Sequence, residues 1–279
     1  MKNVVLIFLV FVFTACMENF DPEKDSNIGT IELVVDLAPV FSDIIEISDF
    51  DTRRIRVRAY CYSDEGLLKE TQSYSTVDVH SPITFRFRHL EKGCEYKFLA
   101  FADLYEVDEH GSEVDCWFHL LTGSMDSFYI NRVDWVESFT DIIGMAQTSC
   151  FHDKVKSEQH IPLCHAGTLC HVVFTGLENA IELYHSYTGL SKFSPTGNEK
   201  YISSATYSVT EAVLDTLESV QDYYYIITDT SGETTLRYRM TLRDGSEPIE
   251  YSNTIVLTAG KKVRLEINCL NGELKCTDI

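Results

Sequence analysis

The chain has 279 residues, and its 43 acidic side chains outnumber 23 basic ones for a formal charge of −20. So acidic a body repels nucleic acid and anionic lipid, which excludes a nucleic-acid-binding role and suits a soluble, extracellular setting. Hydrophobic residues at 44% and aromatics at 12% are ample for two domain cores of ordinary size.

The N-terminus comes first. Lys2 supplies a positive charge, residues 4–13 form an unbroken apolar run, and Thr14, Ala15 and Cys16 follow. The run is much shorter than the ~20 residues a membrane span requires, and small residues before a cut suit a signal peptidase. Residues 1–15 are therefore predicted to be a signal peptide, with Cys16 the lipid-bearing (palmitate-type) first residue of the mature chain. Phe13 stands where such a lipobox usually carries Leu or another aliphatic, so secretion without lipidation is the competing reading. Residues 16–28 are polar and acidic, show no strand or helix pattern, and read as a tether. Their acidic run resembles the surface-export signal of Bacteroidetes lipoproteins. That implies an outer-membrane, lipid-anchored protein at the cell surface, with the lipid on Cys16 its only membrane contact.

Beyond the tether the dominant signal is period-two alternation. Ile31, Leu33, Val35 and Leu37 alternate with Glu32, Val34 and Asp36. Ile55, Val57, Ala59 and Cys61 alternate with Arg56, Arg58 and Tyr60, and Asp64-Glu65-Gly66 turns the chain. Ile83, Phe85 and Phe87 alternate with Thr84, Arg86 and Arg88, then Glu91-Lys92-Gly93 leads into Tyr96, Phe98, Ala100 and Ala102. Strands with one apolar and one charged face predict antiparallel sheets packed on one side, as in a sandwich. The pattern fades between residues 117 and 160, and the polar stretch 153–160 reads as a linker. Apolar runs resume at 169–174, 223–227, 236–242, 254–257 and 263–269. Asp244-Gly245, Ala259-Gly260 and Asn271-Gly272 are turn signals between them. Residues 178–185 and 209–220 are read as short helices. The predicted organisation is a first β domain over 29–158 and a second over 159–279.

Eight cysteines remain beside Cys16: Cys61, Cys94, Cys116, Cys150, Cys164, Cys170, Cys269 and Cys276. Their even number permits disulfides in an oxidising compartment, but their spacing defines no framework. Cys150, His152, His160, Cys164, His165, Cys170 and His171 lie near one another in sequence without the close ligand pairs of a zinc motif, so no metal is assigned. No phosphate-binding loop, H-E-x-x-H or G-x-S-x-G occurs, and Asp229-Thr230-Ser231-Gly232 lacks the second carboxylate an aspartic protease needs. The expectation is a non-enzymatic protein with no catalytic residue and no cofactor. As the alternative, a surface glycan-binding lipoprotein, Trp117 and Trp135 are the candidate sugar platforms, with Tyr105 and Tyr129 beside them.

Residues 161–177, with Ile161-Pro162-Leu163-Cys164-His165 leading into a small-residue-rich strand, resemble the opening of the second domain in the fimbrillin superfamily of Bacteroidetes. Tyr187-Thr188-Gly189-Leu190 with Pro195-Thr196-Gly197, and the closing segment 256–267, resemble further parts of fimbrillin-like lipoproteins and their anchor subunits. Cys164-His165 replaces the basic residue usual before the junction strand. The resemblance implies an all-β fold of two transthyretin-like antiparallel β-sandwich domains in tandem. It also implies a structural, anchor or accessory role in fimbriae and adhesion, with other fimbrial β-sandwich subunits as partners by strand addition. Polymerising members are often cut after an arginine that follows the first strand, which implies Arg53 or Arg54 as the processing site here. The competing reading makes Arg54, Arg56 and Arg58 the solvent face of one strand, with no cleavage.

Overall fold

Strands whose alternate residues are apolar must bury one face, and they dominate this chain. A computed structural model describes residues 27–42, 53–115, 118–132, 142–190, 192–193, 204–211, 219–227 and 231–279. The first half contains β1 (Ile28–Asp36), the single helical turn α1 (Ala38–Phe41), β2 (Arg53–Ser63), β3 (Leu68–Thr76), β4 (Ile83–Glu91) and β5 (Cys94–Val107). It continues with β6 (Glu113–Asp115), β7 (Phe118–Thr122), β8 (Phe128–Arg132), β9 (Ile143–His152), β10 (Lys156–Pro162) and β11 (Cys164–His165). The second half contains β12 (Gly167–Thr175), β13 (Ala180–Leu190), β14 (Lys192–Phe193), β15 (Ser204–Glu211) and β16 (Ser219–Ile227). It ends with β17 (Ser231–Leu242), β18 (Ile249–Thr258), β19 (Lys262–Asn268) and β20 (Leu274–Asp278).

These strands form two β-sandwiches. In the first, the sheet β10-β1-β4 packs on the sheet β11-β9-β5-β2-β3, to which β6 adds beside β5. Ile31, Leu33, Val35, Phe85 and Phe87 face Val57, Ala59, Cys61, Phe98 and Ala100 in one buried cluster. The second packs β16-β12-β19-β20 on β15-β13-β17-β18 around Val172, Phe174, Leu183, Tyr224, Tyr238, Met240, Leu265 and Ile267. The all-β, two-sandwich expectation is met, with one addition. Each sandwich holds a parallel pair, β1 with β10 and β12 with β19, among otherwise antiparallel neighbours.

Several sequence expectations change. The larger sheet of the first sandwich is covered on both faces. Tyr60, Tyr62, Leu99 and Phe101 point away from the sandwich core yet are buried, because Phe128 and Ile130 of the small sheet β14-β8-β7 close over them. The Phe128 ring sits 5.3 Å from that of Tyr60, edge to face. The unbroken apolar run from Phe98 to Phe101 is the sequence trace of a strand covered twice. Residues 153–160 are a turn followed by most of β10, not a linker, and position 158/159 falls inside that strand. Residues 180–185 belong to β13 rather than to a helix. Residues 209–211 lie in β15 and 219–220 in β16, while 212–218 fall outside the described residues.

The junction between the sandwiches is an ordered strand path. β11 pairs with Gly144 and Met145 of β9, and Leu169, Tyr225 and Ile227 on the back of the second sandwich join the first core. Tyr225 is central to it: its hydroxyl donates to the Ile143 carbonyl at 2.9 Å and accepts from the Gly167 N–H at 2.9 Å. Burial pushes that hydroxyl's pKa far up, so it stays a donor. A Cβ on Gly167 would lie 2.5 Å from the Ile226 carbonyl oxygen, which is why glycine occupies this crossing.

Candidate functional site: the first strand and its groove

The first strand is the element on which the sequence reading places function. β1 enters at Gly29, where a side chain would strike His152 and the Val155 carbonyl, so the chain slips in only as glycine. Two backbone bonds fasten this entrance, Lys92 N–H to the Asn27 carbonyl at 2.8 Å and Thr30 N–H to the Val155 carbonyl at 2.9 Å. From Ile31 to Val35 the strand is hydrogen-bonded on both sides, antiparallel to β4 and parallel to β10. β4 carries one extra residue opposite Gly29 and Ile31, and His89 there takes a positive φ of 58°. That bulge turns Leu90 rather than His89 inward, and it ends the groove.

The inner face of this segment is apolar and fully enclosed. Ile31, Leu33, Val35, Leu37 and Phe41 are 0% exposed and Val40 1%. α1 closes the far end: Pro39 suits its first turn, the Asp36 carboxylate accepts from the Ala38 N–H at 3.1 Å, and Leu163 N–H reaches the Asp36 carbonyl at 3.0 Å. At about 1.5–3 kcal/mol per buried large side chain, the six residues contribute roughly 9–18 kcal/mol as an upper bound. A whole domain is stable by about 5–15 kcal/mol. Loss of residues 28–41 would expose this face and strongly destabilise the first sandwich unless another strand filled the slot.

The outer face is held by charge. Glu32, 7% exposed, accepts from Arg86 of β4 at 2.9 Å and from Lys156 of β10 at 2.8 Å, linking all three strands of the sheet. The Lys156 hydrogen bond, with the charges of both cations, holds the Glu32 carboxyl below its ordinary value. The sequence offered a clue in Glu32 itself, an acid opposite a strand bearing Arg86, but β10 was needed to complete the set.

Arg53 and Arg54 open β2. They are hydrogen-bonded into the sheet opposite Glu106 and Tyr105 of β5, with Arg53 3.5 Å from Glu106 and the Arg54 guanidinium donating to the Arg53 carbonyl at 2.7 Å. Residues 43–52, which lead to them from α1, are outside the described residues. Arg54 and Arg58 are half-buried, but Arg56 is not on a solvent face. It is 6% exposed, donates to both oxygens of Asp103 at 3.1 and 2.6 Å and to Glu113 at 2.7 Å, and lies 5.1 Å from the centre of the Tyr105 ring. β6 and Tyr105 roof this pair over. Burial raises the Asp103 carboxyl above its ordinary value while Arg56 pulls it down.

The remaining sequence candidates are separate from this site. Cys16, Trp117 and Trp135 fall outside the described residues. Tyr105 is 8% exposed, with its ring against Arg56, and offers no open ring face. Cys61, Cys94, Cys150, Cys164, Cys170, Cys269 and Cys276 are free thiols. Cys61 and Cys269 are buried among apolar side chains, which pushes each thiol up to about 12. Among the described residues no three His, Cys, Asp or Glu side chains converge on a metal-sized site. No helix among the described residues is long and apolar enough to cross a membrane.

No protein-family model and no curated protein matches the sequence. Solved structures do. The fimbrial anchor protein Mfa2 of Porphyromonas gingivalis superposes with a TM-score of 0.53 at 13% identity, over 90% of this chain and 95% of that one. The fold is that of Bacteroidetes fimbrial and adhesin proteins. A proposed cell adhesion protein of Parabacteroides distasonis gives a TM-score of 0.53 at 8% identity, over 91% of this chain and 98% of that one. A proposed adhesin of Bacteroides thetaiotaomicron gives 0.52 at 11% identity, over 89% and 95%. Each likeness spans both sandwiches, in agreement with the two-sandwich fold that the sequence resemblance implies.

Proposed function

We propose that this chain is a non-enzymatic, cell-surface fimbrial subunit of the anchor or accessory type, held to the outer membrane by lipid on Cys16. The observation that carries the reading is the two-sandwich fold shared end to end with a fimbrial anchor, joined to a first strand seated in its own groove. A shaft subunit has to give up its tethered N-terminus to polymerise. Here β1 is buried in its own groove, and losing it would strongly destabilise the first sandwich. Arg53 and Arg54 lie within a β ladder, so a protease would have to fray the start of β2 before cutting. Both features favour an uncut chain.

Partners would join by strand addition, in which an extended segment hydrogen-bonds along an open sheet edge. Among the described residues β3, β18 and β20 each pair on one side only. In vivo crosslinking followed by mass spectrometry tests the reading. It should recover other β-sandwich subunits, with crosslinks mapping to such edges. Recovery of a transporter and glycan-degrading enzymes instead would overturn it. The lipid has its own check: Cys16→Ala should shift the protein from the membrane to the soluble fraction with its fold intact.

A further inference from the structure

On the second sandwich, far along the chain from the β1 groove, the outer face of β13, β17 and β18 forms an open concavity of about 820 Å3. That lies within the ~300–1,000 Å3 typical of small-ligand sites. Its floor is set by strand register. Ser186, Arg237 and Ser252 form one cross-strand row, and Tyr184, Arg239 and Glu250 form the next. Glu182 and Thr241 make a third, joined by a hydroxyl-to-carboxylate hydrogen bond of 3.2 Å.

The two arginines differ in what they face. Arg239 is paired with Glu250 at 3.3 Å. Arg237 is exposed, and its cross-strand neighbours on both sides are serines, with no carboxylate partner among the described residues. The Arg237 guanidinium is flanked by hydroxyls. It presents a planar fork suited to one carboxylate, with hydroxyl groups on either side and the Tyr184 ring lining the next row.

We infer that this face binds a carboxylate-bearing saccharide, with Arg237 taking the carboxylate and the exposed Ser252 and Glu182 meeting ring hydroxyls. Adjacent strands are ~4.8 Å apart, so the serine row spans an interval that linked sugar rings can cover. Glu182 and Glu250 in the lining oppose a phosphate or a polyanionic peptide, which would need several unpaired cations. A sugar ring carrying a single carboxylate needs only the one unpaired cation, and its hydroxyls can donate to Glu182. This inference is independent of the fimbrial reading: it needs only the second sandwich and its register.

The test is affinity electrophoresis of the full mature chain in native gels containing polygalacturonate, alginate or hyaluronate, with dextran and methyl-esterified polygalacturonate as neutral controls. At least one carboxylated polymer should retard the protein while both neutral ones leave it unmoved. Arg237→Gln should weaken that retardation at least tenfold, and Ser252→Ala should weaken it severalfold. Both sites are exposed, and unchanged thermal melts of the variants verify the fold. Absence of retardation by all three carboxylated polymers would overturn the proposal. So would equal retardation of Arg237→Gln, or competition by polyglutamate as strong as by the polysaccharide.

Discussion

β1 and β12 each open a sandwich, and each lies between one antiparallel and one parallel neighbour, β4 and β10 around the first, β16 and β19 around the second. Their fastenings differ. β12 buries both faces: Cys170, Val172 and Phe174 enter the second core, and Leu169 on the other side enters the first. Its start is crossed by Tyr225, and the Thr168 hydroxyl donates to the Thr258 carbonyl at 2.7 Å. β1 buries a single face and carries one ionic clip, Glu32, on the other. Equivalent topology thus yields one strand built into the junction and one that occupies a self-contained slot in the first sandwich. Slot-filling by a strand of suitable pattern is the physical basis of strand addition, so the contrast marks where an assembly function would reside.

The largest expected effect comes from emptying the slot. Leu33→Ala should destabilise the first sandwich by about 2–5 kcal/mol in urea unfolding, because the enclosed site cannot collapse around the lost methyls. Hydrogen exchange should rise along β1, β4 and β10 and stay unchanged along β13 and β17. Uniform acceleration throughout the chain would mean that the two sandwiches unfold as one unit and that the contrast is only geometric.

Acid should act on the second sandwich through His185, as it does on the first through the buried His152 and the half-buried His165. His185 is buried beside Phe174 with the Tyr224 hydroxyl on its Nδ1, and burial lowers its pKa from 6.5 to about 4. The unfolded chain therefore binds the proton more readily. His185 contributes stability that is complete above pH 6.5 and is lost as pH falls toward 4, roughly 2 kcal/mol of it between pH 7 and 5. Chemical denaturation at several pH values should show this slope, and His185→Phe should reduce it, leaving the part carried by His152 and His165. An unchanged slope in the variant would assign the acid sensitivity elsewhere.

Fastening at β12 is tested by Tyr225→Phe, which leaves the Gly167 N–H without its acceptor while the Ile143 carbonyl keeps the Ala166 N–H, and should cost about 1–3 kcal/mol. Exchange should quicken at Gly167 and Thr168 and not at β1. The smallest effect is expected for Glu32→Gln. It weakens the pairs with Arg86 and Lys156, and should speed exchange of β1 amides with little change in melting temperature. The folded-state pKa of Glu32 lies below its ordinary 4.5, so the clip is complete above that pH and is lost as pH falls below it. The wild type should then approach the variant in acid. Persistence of the difference there would remove Glu32 from the account.

Much of this contrast was readable in the chain itself, and the exceptions have physical causes. Residues 31–37 and 83–87 alternate cleanly because each faces one core, and Gly66, Gly93, Gly245, Gly260 and Gly272 mark turns with positive φ. β13 read as a helix because a bulge between Ala180 and Glu182 breaks its phase and leaves Ala180 and Leu183 three apart. β10 read as a linker because only Ile161 of its seven residues is buried. That strand supplies half the slot around β1 and one arm of the Glu32 clip, so the groove was invisible until the sheet was assembled. Arg56 read as solvent-facing because nothing local announces the roof of β6 and Tyr105 above it. The Arg237 row escaped for a similar reason: Ser186, Arg237 and Ser252 lie on three strands and meet only through register.

The central claim is that the mature chain keeps β1 in its own groove. Mass spectrometry of the N-terminal peptide from surface-extracted protein addresses it directly. The account predicts a peptide beginning at acylated Cys16 and continuous through residues 28–54. A mature chain beginning at Arg54 or Ile55 would contradict it, because the slot would then be vacated for a partner's strand and the protein would be a polymerising subunit.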